Sequence, residues 1–182
     1  MQSLPEIRRI GLLGGSFNPA HDGHAHISRV ALARLRLDEL WWLVSPQNPL
    51  KPTDGIAGMD RRLARARDVA AGLDERIRVS DAERRLGTRH TIDTVRALQA
   101  EHPEARFVWI IGADNLVQLP RWKHWRTLFR AVPIAVFPRA PHSARALRSR
   151  AARRFAGARL PSRHAGRLAL SHPPAWVFLH AA

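Results

Sequence analysis

The stretch that decides the fold runs from Gly11 to His24 and reads GLLGGSFNPAHDGH. It begins inside a short apolar run, passes through two adjacent glycines and continues into a segment whose apolar residues have helical spacing. Adjacent glycines allow a sharp turn and a close approach of a ligand to the backbone, and a following helix offers free N–H groups and a positive dipole end. The stretch therefore predicts an anion-binding loop between a strand and a helix.

Short apolar runs alternate with helical segments along the rest of the chain, which favours βαβ units on a mostly parallel sheet with helices on both faces. We predict helices from about 23 to 36, from about 60, from an N-cap at Thr91 to Pro103, and from a cap at Ser143 to about 155. Loops 46–58 and 156–174 are candidates for substrate binding, because such sheets bind ligands at the carboxyl ends of strands. The predicted strands are 9–14, 39–45, 76–80, 106–112, 133–137 and 175–179.

The composition places the chain among globular proteins, with 182 residues and 45% hydrophobic residues. This length predicts one domain spanning residues 1–182. No cysteine is present, which excludes disulfides, thiolate metal sites and cysteine nucleophiles. Since no signal peptide or membrane span is visible, we predict a cytoplasmic protein.

The charge is unevenly distributed. The formal net charge is +15, and residues 115–182 hold 13 of the bases and no acid at all. All bases except Lys51 and Lys123 are arginine. Because arginine is so abundant, a typical arginine of this chain is expected to lie on a solvated face. The two lysines are therefore more informative about function.

His21 and His24 stand three residues apart, so a helix beginning by Asp22 would point both toward one place. A lone histidine in either position would be read as a capping or core residue. A pair of histidines after a double glycine favours a functional site. Zinc is a rival, but the segment brings no third ligand at a recognisable spacing. The loop also lacks the Gly-Lys-Ser/Thr ending of a P-loop and the G-x-G-x-x-G spacing.

The GGSFNPAHDGH segment resembles the HxGH nucleotidyltransferase superfamily, and in particular the bacterial nicotinate-mononucleotide adenylyltransferases. Three further blocks resemble that family in order: SPQNPLKP at 45–52, RHTIDTV at 89–95 with His90 in place of an aromatic residue, and WIIGADNLVQLPRW at 109–122. The resemblance implies a Rossmann-like, doubly wound nucleotidyltransferase domain. It also implies transfer of the adenylyl group of ATP to nicotinate mononucleotide in NAD biosynthesis.

The resemblance implies roles for residues along these blocks. His21, His24 and Lys51 would be catalytic, with Lys51 reaching the phosphate of the mononucleotide unless it is an ordinary surface lysine. Trp122 would stack on the pyridine ring or belong to the core, and Asp114 would accept a ribose hydroxyl, cap a helix, or do both. The implied ATP-binding residues are Gly14, Gly15, Ser16, Phe17, His21, His24, Gly112, Asp114, Phe137, Pro138 and Arg139. The implied mononucleotide-binding residues are Ser16, Phe17, Asn48, Lys51, Thr91 and Trp122.

No protein metal site is predicted. Mg²⁺ is expected to accompany ATP and to be held mainly by phosphates and water, because few acids lie near the motifs. The family's closing Ser-Thr-x-x-Arg motif is not found, and neither RALRSR at 145–150 nor LPSRHAGR at 160–167 replaces it. We therefore expect that a C-terminal tail is missing from the sequence.

Two alternatives remain open. One is a related adenylyl- or cytidylyltransferase for another phosphorylated acceptor such as phosphopantetheine, which would not need the blocks around Thr91 and Trp122. The other is a basic nucleic-acid-binding module, suggested by the acid-free segment with aromatic residues interleaved. No recognised nucleic-acid motif supports it, so nucleic acid is not the expected partner. Whether the protein is a monomer or a homo-oligomer is left open.

Overall fold

The computed structural model describes residues 7–46 and 55–179 and contains one parallel sheet between helices. The seven strands have the order β3-β2-β1-β4-β5-β7-β6, and every pair is parallel. In these residues the strands are β1 Arg8–Gly15, β2 Glu39–Val44, β3 Ile77–Ser80, β4 Ala105–Gly112, β5 Ile134–Phe137, β6 Arg159–Leu160 and β7 Trp176–Phe178.

Eight helices are present in the described residues: α1 Asp22–Arg34, α2 Met59–Ala71, α3 Ala82–Leu86, α4 Thr91–Glu101, α5 Ala113–Gln118, α6 Trp125–Ala131, α7 Ser143–Leu147 and α8 Arg150–Arg154. Short 3₁₀ segments lie at Leu119–Arg121, Ala156–Ala158 and Ser162–Leu170. The predicted doubly wound parallel sheet is confirmed. No helix in the described part of the chain is long and apolar enough to cross a membrane.

Helices cover both faces of the sheet, so the central strands are apolar on both sides, as the sequence predicted. Leu13, Trp42 and Val108 face α1, α2 and the 3₁₀ segment Ser162–Leu170. Leu12 and Trp109 face α4 to α8 on the other side. Two cores thus hold the sheet rigidly between them.

The strand order reverses between β1 and β4. β1 pairs with β2 on one side, with Leu12 opposite Trp41, and with β4 on the other, with Leu12 opposite Trp109. Connections leave these neighbouring strands toward opposite faces and open a crevice at their carboxyl ends, where doubly wound proteins bind ligands. The segment Gly14–His24 therefore lies at the place in the fold best suited to a ligand.

Three local expectations were wrong. Thr91 is the first residue of α4, and His90 holds the N-cap position with no side-chain capping bond. The helix predicted from a cap at Ser143 to about 155 is two helices, because Ser149 leaves helical geometry and its Oγ caps α8 by accepting from the N–H of Ala152. His142, not Ser143, is the N-cap of α7.

The region 156–174, predicted as a substrate loop, is largely a packed segment. Ala165, Leu168 and Ala169 are buried in the core. Arg34, at the C-terminal end of α1, donates to Ser162. The start of the 3₁₀ segment therefore lies against the C-terminal end of α1.

Candidate active site

The two central strands approach each other closely at the carboxyl edge. A Cβ on Gly14 would lie 3.0 Å from the ring of Trp109. A Cβ on Gly112 would lie 2.5 Å from Asp114 Oδ1. Neither position accommodates a side chain without displacing a neighbour. The glycines therefore allow Trp109 and Asp114 to pack directly against the backbone of the two strand ends.

The loop after β1 turns at Phe17, whose ring is buried. Its φ of 46° is unusual for a residue with a side chain, and its ring is 1% exposed. The ring packs against Trp42, with centroids 5.2 Å apart, and against His24 at 4.5 Å. Burial of the ring fixes the strained turn, and the loop backbone around Ser16 stays at the surface.

His21 and His24 form a reciprocal cap at the start of α1. The backbone N–H of Gly23 donates to His21 Nδ1 at 3.0 Å, and the backbone N–H of His21 donates to His24 Nδ1 at 3.2 Å. The ring centroids are 4.1 Å apart. The prediction from their spacing that the two histidines lie together is confirmed. The capping role considered for a single histidine is confirmed as well.

These bonds fix the tautomer of each ring. A neutral imidazole whose Nδ1 accepts a hydrogen bond carries its proton on Nε2. Both Nε2–H groups are therefore donors, and no described residue accepts from them. Capping and ligand binding use different nitrogens, so one function does not exclude the other.

His24 is held neutral. Burial, the nearby His21 and Arg139 lower the pKa of His24 from its ordinary 6.5 to about 4. A second layer fixes its backbone, because Trp42 Nε1 donates to Ser28 Oγ and that hydroxyl donates to the carbonyl of His24. At neutral pH His24 is an uncharged and rigid donor.

Arg62 is a site residue that the sequence reasoning missed. The side chain comes from the first turn of α2 and is 3% exposed. Its Nη1 donates to the carbonyls of Ser16 (2.6 Å) and Ser45 (2.8 Å), Nη2 to Pro46 (3.1 Å) and Nε to Ala57 (2.8 Å). A sequence signal was present, since Arg62, Ala66 and Ala70 are spaced four apart on the buried face of α2. The abundance of arginine concealed it.

Ser45 and Asn18 connect the loop to its neighbours. Ser45 Oγ donates to Glu83 Oε2 at 2.6 Å, and burial raises the pKa of Glu83. Asn18 donates through Nδ2 to the carbonyl of Gly55 and accepts through Oδ1 from the N–H of Ala57. The phosphate-loop candidate is thus fastened to the segments that follow β2.

Asp114 lies on the other side of the crevice. It is the second residue of α5, and Gly112 is the N-cap, so the capping alternative for Asp114 is wrong. Oδ2 accepts from Arg139 Nη1 at 3.2 Å, while Oδ1 is buried and has no hydrogen-bond partner among the described residues. A groove of about 320 Å³ adjoins Asp114, lined also by Val117, Gln118, Arg121, His142 and Arg145. A buried carboxylate oxygen without a partner is unusual, which makes the surroundings of Asp114 a candidate for ligand binding.

Thr91 and Trp122 lie on the α4 side of the sheet. Thr91 begins α4 and is half-buried, and Trp122 packs partly buried against the core that contains Ile92. Lys123 Nζ lies 3.9 Å from Asp93 Oδ2 and ties the segment after Trp122 to the first turn of α4. The structure therefore brings the two predicted pyridine-binding segments to the same helix end.

The other predicted site residues differ in position. Asn48 and Lys51 lie outside the described residues. Gly15 ends β1, and Pro138 and Arg139 are exposed after β5. The side chain of Phe137 is 4% exposed and belongs to the core under the loop, and its role toward ATP stays a prediction.

The family model described as cytidylyltransferase-like matches residues 12–174. Among curated proteins, the chain is 53% identical to the probable nicotinate-nucleotide adenylyltransferase of Parvibaculum lavamentivorans over 94% of this chain and 84% of that protein. It is 52% identical to the protein of the same name from Caulobacter sp., over 94% of this chain and 89% of the relative.

The fold is similar to that of Plasmodium falciparum nicotinic acid mononucleotide adenylyltransferase, solved in complex with NaAD. The TM-score is 0.66 at 16% sequence identity, over 78% of this chain and 70% of the other. At this identity the likeness concerns the fold alone.

Proposed function

The chain belongs to the cytidylyltransferase-like family and, within it, to the nicotinate-nucleotide adenylyltransferases, and we propose that it transfers the adenylyl group of ATP to nicotinate mononucleotide. The products are nicotinate adenine dinucleotide, a precursor of NAD, and pyrophosphate. The observation that carries the proposal is the pair of Nε2–H donors of His21 and His24, which have no partner among the described residues and lie at the start of α1, just after β1.

The acceptor phosphate needs no general base. The second pKa of a phosphate monoester is near 6, so the attacking oxygen is already ionised at neutral pH. The oxygen attacks the α-phosphorus of ATP, the bond from that phosphorus to the bridging oxygen breaks, and pyrophosphate leaves. Catalysis then depends on alignment and on donors placed where negative charge develops.

The loop supplies such donors. His21 and His24 would donate through Nε2–H to phosphate oxygens, with Ser16 and the backbone N–H groups of the loop as further donors. α1 directs its positive dipole end toward the same place. His24 cannot act as a base of ordinary strength because its pKa is about 4, and this suits a reaction that requires only a donor.

The two sides of the crevice would divide the substrates. Asp114, Gly112, Pro138 and Arg139 would bind ATP, with the Asp114 carboxylate accepting from a ribose hydroxyl. On the other side, Trp122 would stack on the pyridine ring, and the free N–H groups at the start of α4, by Thr91, would receive its carboxylate. Asn48 and Lys51 keep their predicted role toward the mononucleotide.

Mg²⁺ is expected to enter with ATP. The described residues contain no group of three side chains able to hold a metal ion. We propose that phosphate oxygens and water hold the ion, which would neutralise charge on the triphosphate. The reaction belongs to NAD biosynthesis, and we propose that the protein carries it out in the cytoplasm.

The test is release of pyrophosphate from ATP and Mg²⁺ with nicotinate mononucleotide, and with nicotinamide mononucleotide as the matched control. The proposal predicts release with both or with the acid alone, and a higher kcat/KM for the acid. No release with either substrate would refute adenylyl transfer, and a preference for the amide would refute the carboxylate assignment.

A further inference from the structure

Arg62 lies at the point where the central strands separate. The last bond of the β1–β2 ladder is donated by the N–H of Ser45 to the carbonyl of Gly15 at 2.8 Å. The two chains then diverge, Ser16 into the loop after β1 and Pro46 into the segment after β2. Beyond the ladder, Arg62 Nη1 donates to the carbonyls of both Ser16 and Ser45. Nη1 thus joins the two segments at the point where the backbone hydrogen bonds between them end.

The remaining bonds of Arg62 fasten a third segment. Nη2 donates to Pro46 and Nε to Ala57, so the guanidinium bonds four carbonyls from three parts of the chain. A planar guanidinium with five fixed N–H groups is suited to this arrangement, whereas an ammonium group has three donors at one point. No other described side chain joins these three segments directly.

The charge of Arg62 has no acidic counterpart. No carboxylate in the described residues lies within ion-pair distance of it, although the side chain is 3% exposed. A buried cation without a carboxylate is unusual. Burial lowers the pKa of Arg62, yet a guanidinium stays protonated at neutral pH. Its charge therefore lies directly behind the loop that anionic phosphates would approach.

We propose that Arg62 is a positioning residue of the transfer reaction. It sets the loop after β1 against the segment after β2, so that the acceptor phosphate and the α-phosphate of ATP meet in line, and its uncompensated charge favours phosphate in that loop. The inference rests on the proposed function for its catalytic part. The part that concerns anion binding stands without it.

The variants Arg62→Met and Arg62→Lys separate the two contributions, and Arg65→Met is the control because Arg65 is an exposed arginine on the same helix. Activity is measured well below the melting temperature of each variant, on protein whose circular dichroism matches the wild type. Arg62→Met is expected to lower kcat about 30-fold or more, since misalignment of reacting groups commonly costs about 100-fold. Arg62→Lys keeps the charge but cannot bond all four carbonyls, and is expected to lie between.

The KM values distinguish positioning from support of the fold. In Arg62→Lys, which keeps the charge, loss of alignment lowers kcat while each KM stays within about threefold. In Arg62→Met the charge is lost as well, so the KM for ATP also rises. A residue that only stabilises the fold would lower the melting temperature and leave the kcat of the folded protein unchanged. Folded Arg62→Met with kcat within about threefold of the Arg65→Met control would overturn the proposal.

Two further outcomes are decisive. If Arg62→Met does not fold, Arg62→Lys is the test, and an unchanged kcat in that variant would count against alignment. If the wild-type protein fails to turn over nicotinate mononucleotide, calorimetry with inorganic pyrophosphate still tests Arg62. We expect about tenfold weaker binding in Arg62→Met than in Arg65→Met, and equal binding would contradict the electrostatic role.

Discussion

Two regions of this protein use positive charge in opposite ways. At the crevice, a single buried arginine, Arg62, makes four hydrogen bonds, and the histidines beside it are neutral or tied into a helix cap. In the acid-free segment after Asp114, 13 bases crowd the sequence. Among the described residues only Lys123 and Arg139 of that segment form ion pairs.

Four arginines of the acid-free segment lie over aromatic side chains. Arg130 and Arg154 both lie over the ring of Phe155, Arg126 over Trp125, and Arg159 over Trp176. Their long side chains shield the core, and their charged ends stay in water. The number of charges therefore says little about function here, and the neighbours of each charge say more.

The largest effect should come from the crevice. Replacing His24 by alanine, His24→Ala, removes one Nε2–H donor, and loss of such a donor typically costs about 3 kcal/mol of barrier, or roughly a hundredfold in kcat. Steady-state kinetics with ATP and nicotinate mononucleotide measures this. His26→Ala is the control, because His26 is exposed on the same helix. Equal activity of the two variants would remove His24 from the site.

The acceptor side should respond less. Trp122→Ala is expected to raise the KM for nicotinate mononucleotide about five- to tenfold, because stacking of an aromatic ring contributes roughly 1 kcal/mol. The KM for ATP should stay unchanged, and Trp122→Phe should retain most of the affinity. If Trp122→Ala alters both KM values equally, or neither, Trp122 is a core residue only.

The low pKa of His24 has a consequence for stability. The folded protein resists protonation of His24 until about pH 4, whereas the unfolded chain takes up the proton near pH 6.5. As pH falls between these values the unfolded state binds more protons, so the folded state loses stability. Urea unfolding above pH 6.5 and near pH 5 should show a larger loss for the wild type than for His24→Gln. Equal losses would mean that His24 titrates normally.

The smallest effect should come from the acid-free segment. Arg153 and Arg163 are exposed and form no ion pair among the described residues. The double variant Arg153→Gln/Arg163→Gln is expected to keep kcat/KM within about twofold, since surface charges away from a site contribute little. A loss of tenfold or more would show that this segment takes part in binding the anionic substrates.

Much of the fold could be predicted because the central strands are apolar on both faces, as in Leu40 to Val44 and Phe107 to Ile111. β6 has two residues, Arg159 and Leu160, too few to give a pattern. α3 and α6 are five and seven residues long and were missed for the same reason.

The candidate site could be predicted where a pattern is local. The spacing of His21 and His24 after two glycines was sufficient to bring the two rings together. The role of Arg62 depends on carbonyls 5 to 46 residues away, at Ala57, Pro46, Ser45 and Ser16, which no local pattern reveals. The burial of Phe137 also depends on a tertiary contact, since α1 and the loop after β1 cover that face.

The most direct test of the account follows ³¹P resonances during incubation of the wild-type protein with ATP, Mg²⁺ and nicotinate mononucleotide. The account predicts that the ATP signals and the monoester signal disappear in equal amounts, while the signals of inorganic pyrophosphate and of a dinucleotide diphosphate appear together. Persistence of the monoester signal, either with no reaction or while ATP gives ADP and phosphate, would contradict adenylyl transfer to the mononucleotide.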